Sequence, residues 1–237
     1  MKQIIVIPSL NPGQELTELV DKLLGLEAGR IVVVNDGSAA EYLPVFDALN
    51  QRAGVTVLTH KKTKGKGKAL KTAFRYCLKK FNGIGGVVTA DSDGQHAPDD
   101  ILKVAKELEQ KKDSLILGSR TLHKSATPEE SFDGNQHSAG SLKYWFGITL
   151  PDTQTGLRGI PINILPWVAR LRGKRYEYEL NMLLRAVQRK VEITVCPIEA
   201  IYFNGNQGSH FNRKRDTRRL QRMGIWCWFV RPLRKRP

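Results

Sequence analysis

The chain has 237 residues, a formal net charge of +15, and three cysteines, Cys77, Cys196 and Cys227, with no CxxC spacing. That length suits one sizeable domain and is too short for two domains plus a membrane bundle, and the cysteine pattern argues against both a disulfide framework and a zinc site. After Met1 and Lys2 the sequence runs directly into Gln3-Ile4-Ile5-Val6-Ile7, without the regions of a secretory leader, so a reducing cytoplasm is expected.

In chain order the patterns predict a strand at Gln3–Ile7, a helix at Gln14–Leu24, strands at Arg30–Val34 and Val55–Thr59, and a helix at Lys66–Lys80. A strand at Gly86–Ala90, a helix at Pro98–Gln110 and a strand at Ser114–Leu117 follow. Such alternation predicts an α/β domain with a mostly parallel sheet and helices on both faces. Thr121 to Ser141 is rich in Ser, Thr, Gly, Asn and His and reads as a long loop, a length that is usually functional or disordered. Beyond it lie Leu142–Ile148, the stretch Asp152–Arg158, a helix at Tyr178–Lys190 with Leu180, Leu183, Leu184 and Val187 at helical spacing, and a strand at Val191–Pro197. A core domain of residues 1–203 is expected to end near Phe203, leaving 204–237 as a basic, aromatic tail.

The polar motifs of this first half follow strands or open helices, where ligands bind in open α/β sheets. Asp91-Ser92-Asp93 brings two carboxylates to the end of a strand. The pair suits a divalent metal, and equally a solvated turn that caps the next helix. Asn35-Asp36-Gly37-Ser38 suits either ligand contact or an Asx turn. Gly65-Lys66-Gly67-Lys68 combines flexible glycines, a helix start and lysine charge, a combination that favours an anion. Its spacing is neither that of a Walker loop nor that of a GxGxxG fingerprint, which disfavours an ATPase or a NAD enzyme. Gly118-Ser119-Arg120 and Asp152-Thr153-Gln154-Thr155-Gly156-Leu157-Arg158 complete the set.

Together and in this order, these segments resemble the family 2 glycosyltransferases of GT-A fold, and most closely the polyprenyl-phosphate and dolichyl-phosphate sugar transferases; the match runs roughly from Lys2 to Phe211. The resemblance implies a nucleotide-diphosphosugar transferase fold with a mostly parallel, mixed central sheet flanked by helices. It implies a UDP- or GDP-linked sugar donor, a polyprenyl phosphate acceptor, and Mg2+ or Mn2+ held by Asp91, Asp93 and Gln95, with Asp93 foremost and Asp91 partly engaged with the nucleotide or sugar. His96 is either a further ligand or an ordinary loop histidine. Pro8, Ser9, Asn11, Asp36 and Lys66 correspond to donor contacts, although Leu10 and Pro12 stand where the family more often has Tyr and Glu. Arg120 and Arg158 correspond to phosphate and acceptor-side contacts, a task that suits the planar guanidinium. Asp152 corresponds to an active-site residue or a cap, and with Asp93 and the two arginines it makes up the expected catalytic set. Ser209 and His210, with Arg213, correspond to late phosphate contacts. Relatives usually carry a basic segment ending in Gly-Asn between residues 120 and 150; here Gly134-Asn135 stands beside Glu129, Glu130 and Asp133.

No Glu-Asp general-base motif and no Gln-x-x-Arg-Trp are present. A lipid phosphate monoester, with a second pKa of about 6, is largely ionised at neutral pH and needs no strong base, so a single inverting displacement at the anomeric carbon is expected. A near alternative is transfer to a hydroxyl of a cell-wall polysaccharide or glycolipid.

From Phe211 to Pro237 the sequence holds ten Lys or Arg against Asp216 alone, interleaved with Trp226, Trp228 and Phe229. The apolar run Met223–Val230 is too short to span a bilayer, which takes about 20 residues. Basic residues beside aromatics suit an interfacial segment on the cytoplasmic membrane face. Nucleic-acid binding by an impaired nucleotide-sugar fold, with arginines on phosphate and tryptophans stacking, is the competing reading. The tail also fits a juxtamembrane piece of a longer protein, and the oligomeric state, homo-oligomer included, is left open.

Overall fold

The computed structural model describes residues 3–120, 132, 135–136, 139–140, 142–144, 147, 149–199 and 222. The strands are β1 (Gln3–Ser9), β2 (Arg30–Asn35), β3 (Val55–Thr59), β4 (Gly86–Thr89), β5 (Leu115–Arg120), β6 (Arg158–Pro161) and β7 (Ile193–Ile198). They form one sheet in the order β3-β2-β1-β4-β6-β5-β7. Every neighbouring pair is parallel except the two made by β6, which runs against β4 and β5. The helices are α1 (Gln14–Gly25), α2 (Leu43–Asn50), α3 (Lys66–Lys80), α4 (Pro98–Gln110), α5 (Leu165–Val168) and α6 (Glu177–Gln188).

The sheet is covered on both faces, which is why its central strands read as unbroken apolar runs. Successive side chains of a strand face opposite ways. Ile4 and Val6 of β1 join α3, α5 and α6 in one core cluster, through Ala69, Phe74, Leu165, Met182 and Leu183. Ile5 and Ile7 join α1, α2 and α4 in the other, through Leu16, Leu19, Phe46, Ile101 and Leu108. Phe74 is fully buried between α3 and the sheet. Phe74→Ala is expected to lose about 3–5 kcal/mol of stability, read from the urea midpoint.

Several elements depart from the sequence reading. β1 runs on to Ser9, β2 takes in Asn35, and β5 runs from Leu115 to Arg120, so the polar residues at these ends are held in the ladder. α2, α5 and β6 were not foreseen. α2 buries only Phe46 and Leu49, too few to show a helical period, and its Pro44 sits in the first turn, where a missing N–H is harmless. β6 is Arg-Gly-Ile-Pro, a poor strand on local preference, and the sheet edges on both sides of it impose the conformation. The expected domain limit near Phe203, the basic tail, and Ser209, His210 and Arg213 lie outside the described residues.

Candidate active site

The carboxyl ends of β1, β2, β4 and β5 lie on one edge of the sheet. Because β6 is reversed, its first residue reaches the same edge, with Arg158 paired to Thr89. The residues singled out from sequence fall there in three linked groups.

The first group lies at the ends of β1 and β2. Pro8 is paired with Val34 inside the sheet, and the Ser9 carbonyl accepts the Asp36 N–H at 2.8 Å. Asn11 adopts a left-handed φ of 49°, which asparagine tolerates better than most residues. Its N–H donates to Ser38 Oγ at 2.9 Å, and its Oδ1 accepts from the Ala39 N–H at 3.0 Å. The buried Asp36 carboxylate accepts the N–H groups of Lys64 at 3.0 Å and Gly65 at 2.6 Å. His60 Nδ1 lies 2.7 Å from the same carboxylate, so that nitrogen is the donor, and His60 Nε2 is 2.9 Å from Thr72 Oγ1 on α3. The Asx turn is closed by Asn35, whose Oδ1 accepts the Ser38 N–H at 2.8 Å, and Asp36 does something else. It fixes the loop that launches α3.

That loop delivers the second group. Gly65 has φ of 99°, and a Cβ there would meet the Lys174 carbonyl at 2.5 Å, so glycine alone fits before Lys66. Lys66 Nζ lies 2.7 Å from Asp91 Oδ1 and 3.2 Å from Glu179 Oε1, and it stands 5.7 Å over the Tyr176 ring. Burial opposes the ammonium charge, but the two carboxylates prevail and hold the Lys66 pKa above its ordinary value. Burial also opposes the Asp91 charge, and Lys66, with help from Arg120, keeps that carboxyl below the usual carboxylate range. Asp93 is different. Burial, and then the neighbouring Asp91 charge, push it up to about 6. The Gln95 N–H donates to Asp93 Oδ1 at 3.2 Å. His96 is buried, and its Nδ1 accepts the Asp91 N–H at 3.0 Å. Its pKa is lowered to about 4 by burial, and the Lys66 and Arg120 charges add to this. Neutral and already bonded through Nδ1, His96 supports the Asp91 backbone.

The third group packs over the second. Thr89 Oγ1 donates to the Gly156 carbonyl at 2.7 Å. A Cβ on Gly156 would lie 2.4 Å from Asp91 Oδ2, so only hydrogen fits against the carboxylate. Gly156→Ala is expected to displace Asp91 and lower kcat/KM by about 10²-fold, because displacements of about 1 Å at a reacting site have effects of that size. Unchanged kinetics, with the fold intact by circular dichroism, would contradict the packing. Arg120 Nε and Nη2 reach the two oxygens of the fully buried Asp152, at 2.7 and 3.3 Å. Asp152 also caps its own loop, accepting the Gln154 N–H at 3.0 Å. Asn135, of the Gly134-Asn135 pair, accepts from the Thr153 N–H and hydroxyl and donates to the Pro151 carbonyl.

Arg158, which with Arg120 was expected among the phosphate and acceptor-side contacts, lies beneath the site. It is 1% exposed, with Nε donating to the Thr155 carbonyl at 3.0 Å and Nη1 to the Glu179 carbonyl at 2.6 Å, and only Nη2 has no partner. As the first residue of a strand covered on both faces, it braces the floor from inside. Glu179, His60 and Tyr176 were missed by the sequence reading. Glu179 lies 113 positions from Lys66 in the chain and sits in a helix whose period marked only its apolar residues, so no local signal joined the two.

Among the described residues no cluster of three or more His, Cys, Asp or Glu forms a complete metal cage. Asp91 and Asp93 together still fit a hard cation. The mutual repulsion that raises Asp93 would be relieved by positive charge, and a ligand's phosphate oxygens could complete the shell.

A model of the family described as Glycosyl transferase family 2 matches residues 4–173. A protein of Methanococcus voltae named UDP-N-acetylglucosamine–dolichyl-phosphate N-acetylglucosaminyltransferase is 29% identical over 217 residues, covering 84% of this chain and 85% of its own. Glucosyl-3-phosphoglycerate synthase from Mycobacterium tuberculosis, solved with Mn2+, UDP and glucosyl-3-phosphoglycerate, superposes with a TM-score of 0.67 at 16% identity, over 98% of this chain and 81% of its own. The same enzyme with Mg2+ and UDP gives 0.70 at 16% identity, over the same shares. At that identity the likeness is one of fold, and the fold is GT-A.

Proposed function

Because this chain belongs to glycosyl transferase family 2 and is a glycosyltransferase, we propose that it moves a sugar from a nucleotide-diphosphate sugar to a polyprenyl phosphate, with inversion at the anomeric carbon and dependence on a divalent metal. The observation that carries this reading is the state of the site carboxylates. Asp91 is held by Lys66 and Asp152 by Arg120, Glu179 lies 3.2 Å from the same Lys66 nitrogen, and the remaining carboxylate, Asp93, is assigned to the metal. Carboxylates already bound to cations make poor general bases for a sugar hydroxyl, whereas a phosphate monoester arrives ionised. The name of the Methanococcus voltae relative, with dolichyl phosphate as acceptor, points the same way.

In this reading Ser9, Asn11 and Asp36 form the nucleoside end of the donor site, and Lys66 supplies positive charge for the pyrophosphate at the start of α3. Asp91, Asp93 and Gln95 would hold Mg2+ or Mn2+, which when bound neutralises charge on the departing diphosphate. Arg120, oriented by Asp152, faces the acceptor side, and Arg158 keeps the floor rigid. The acceptor oxygen attacks the anomeric carbon in line as the bond to the nucleotide diphosphate breaks, so rate comes from positioning and fixed charge. No helix among the described residues is long and apolar enough to cross a membrane. Contact with the lipid-borne acceptor is assigned to the membrane surface, with the basic tail as one attachment.

Labelled UDP- and GDP-sugars incubated with short-chain polyprenyl phosphate, with Mg2+, with Mn2+ or with EDTA, test the reading. The expected result is a lipid-extractable product that disappears with EDTA and identifies the donor. Label passing only to water or to a glycan hydroxyl would overturn the acceptor assignment.

A further inference from the structure

Two segments that are distant in sequence, the loop before α3 with the first turns of that helix and the loop between α5 and α6, meet beside the reaction centre, and both are basic. Residues 61–75 hold Lys61, Lys62, Lys64, Lys66, Lys68, Lys71 and Arg75, and residues 170–175 hold Arg170, Arg172, Lys174 and Arg175, with no acid in either stretch. The two are packed together. The Lys174 carbonyl accepts the Lys68 N–H at 3.1 Å, and Gly65 lies against Lys174 and Arg175. The buried Lys71 locks them, donating to the Leu171 carbonyl at 3.0 Å and to the Gly173 carbonyl. Its pKa is pulled to about 8, first by burial and then by the Lys68, Arg75 and Lys174 charges. Acids also reach this group: Asp91 and Glu179 hold Lys66, and Glu177 Oε1 accepts the Lys174 N–H at 2.8 Å. Lys61, Lys62, Lys64 and Lys174 are exposed.

We propose that this platform, formed by the loop before α3 and the loop between α5 and α6, is a docking surface for an anionic lipid bilayer. Like charges gathered where two packed segments meet repel one another, and a negative counterpart relieves that repulsion. A bilayer carrying acidic headgroups presents such charge over an extended plane, and each lysine near the surface adds to the attraction. The platform adjoins Lys66, which binds Asp91, so a bilayer seated there brings lipid phosphates to the edge of the site. This last link rests on the polyprenyl phosphate reading; the docking surface itself does not. It draws on no residue of the tail, since every residue involved lies between 61 and 175.

The test uses the full chain and its variant with Lys61, Lys62, Lys64 and Lys174 all changed to Gln, sedimented with vesicles of phosphatidylcholine containing about 30% phosphatidylglycerol. The variant is expected to bind at least about tenfold more weakly than wild type at 0.1 M salt, with neither protein binding pure phosphatidylcholine. Transfer to acceptor embedded in the acidic vesicles should fall with binding, while transfer to a short-chain acceptor in detergent stays within about twofold. Vesicle binding unchanged in the variant would overturn the surface, as would a loss confined to duplex oligonucleotide binding. Should no polyprenyl phosphate be used at all, the acceptor reading fails, and the sedimentation result still decides the platform.

Discussion

Lys66→Met is expected to lower transfer by at least about 10²-fold and to destabilise the protein by about 3–5 kcal/mol, the two losses arising from one ammonium group. The activity loss follows from its place at the start of α3, beside the carboxylate pair. The stability loss follows from what remains: Asp91 and Glu179, at 2.7 and 3.2 Å from the same nitrogen, are left facing each other without their shared cation. A second change separates the two effects. Glu179→Gln added to Lys66→Met removes the orphaned buried charge, so at least half of the lost stability should return in urea unfolding while transfer stays absent. Should the double variant be as unstable as the single one, Glu179 is not the partner that makes Lys66 structurally necessary.

Asp93→Asn is expected to abolish transfer to at least about 10³-fold below wild type and, in EDTA, to make the protein more stable. Asp93 ionises ordinarily near 3.8 and here at about 6, because burial and Asp91 disfavour its charge. Folding therefore favours the protonated form. Below about pH 3.8 the group is protonated whether folded or unfolded, and there is no penalty; the penalty grows as pH rises from about 3.8 to about 6 and is complete above that. Asn, which never ionises, escapes it. After allowance for the solvent that reaches this half-buried group, an advantage of about 1–2 kcal/mol near pH 7, shrinking toward pH 4, is expected from thermal unfolding at both pH values. A variant that is inactive and also less stable at pH 7 would mean that Asp93 is a structural residue.

Much of the N-terminal half was legible because its elements obey simple periods. β3, α3 and α4 fall at the predicted residues, since five-residue apolar runs and patterns such as Ile101, Val104, Ala105, Leu108 admit one reading. The strand-end motifs were legible for the same reason: once the strands are placed, Asp36, Asp91 and Arg120 must lie on one edge. What the sequence withheld depends on contacts far apart in the chain. Glu179 finds Lys66 only after α6 packs on α3, and His60 finds Asp36 only because β3 lies beside β2. The burial of Arg158 was not legible, because a motif shows which residues gather and not which of them end up beneath the surface. Its guanidinium is fully enclosed, since the reversed strand that carries it was unrecognisable as a strand.

That reversed strand also governs the order in which the molecule can be assembled. β4 and β5 are consecutive strands, yet they are not neighbours, and the gap between them is filled by β6, which begins at Arg158 after β5 has ended at Arg120. During synthesis the first five strands can pair only as β3-β2-β1-β4, with β5 left unattached until the next 41 residues have emerged. Until then β4 offers an open, apolar edge to any passing strand. Loop closure over that distance is slow compared with local pairing, so this interval is the point in the life of the chain most exposed to misassembly.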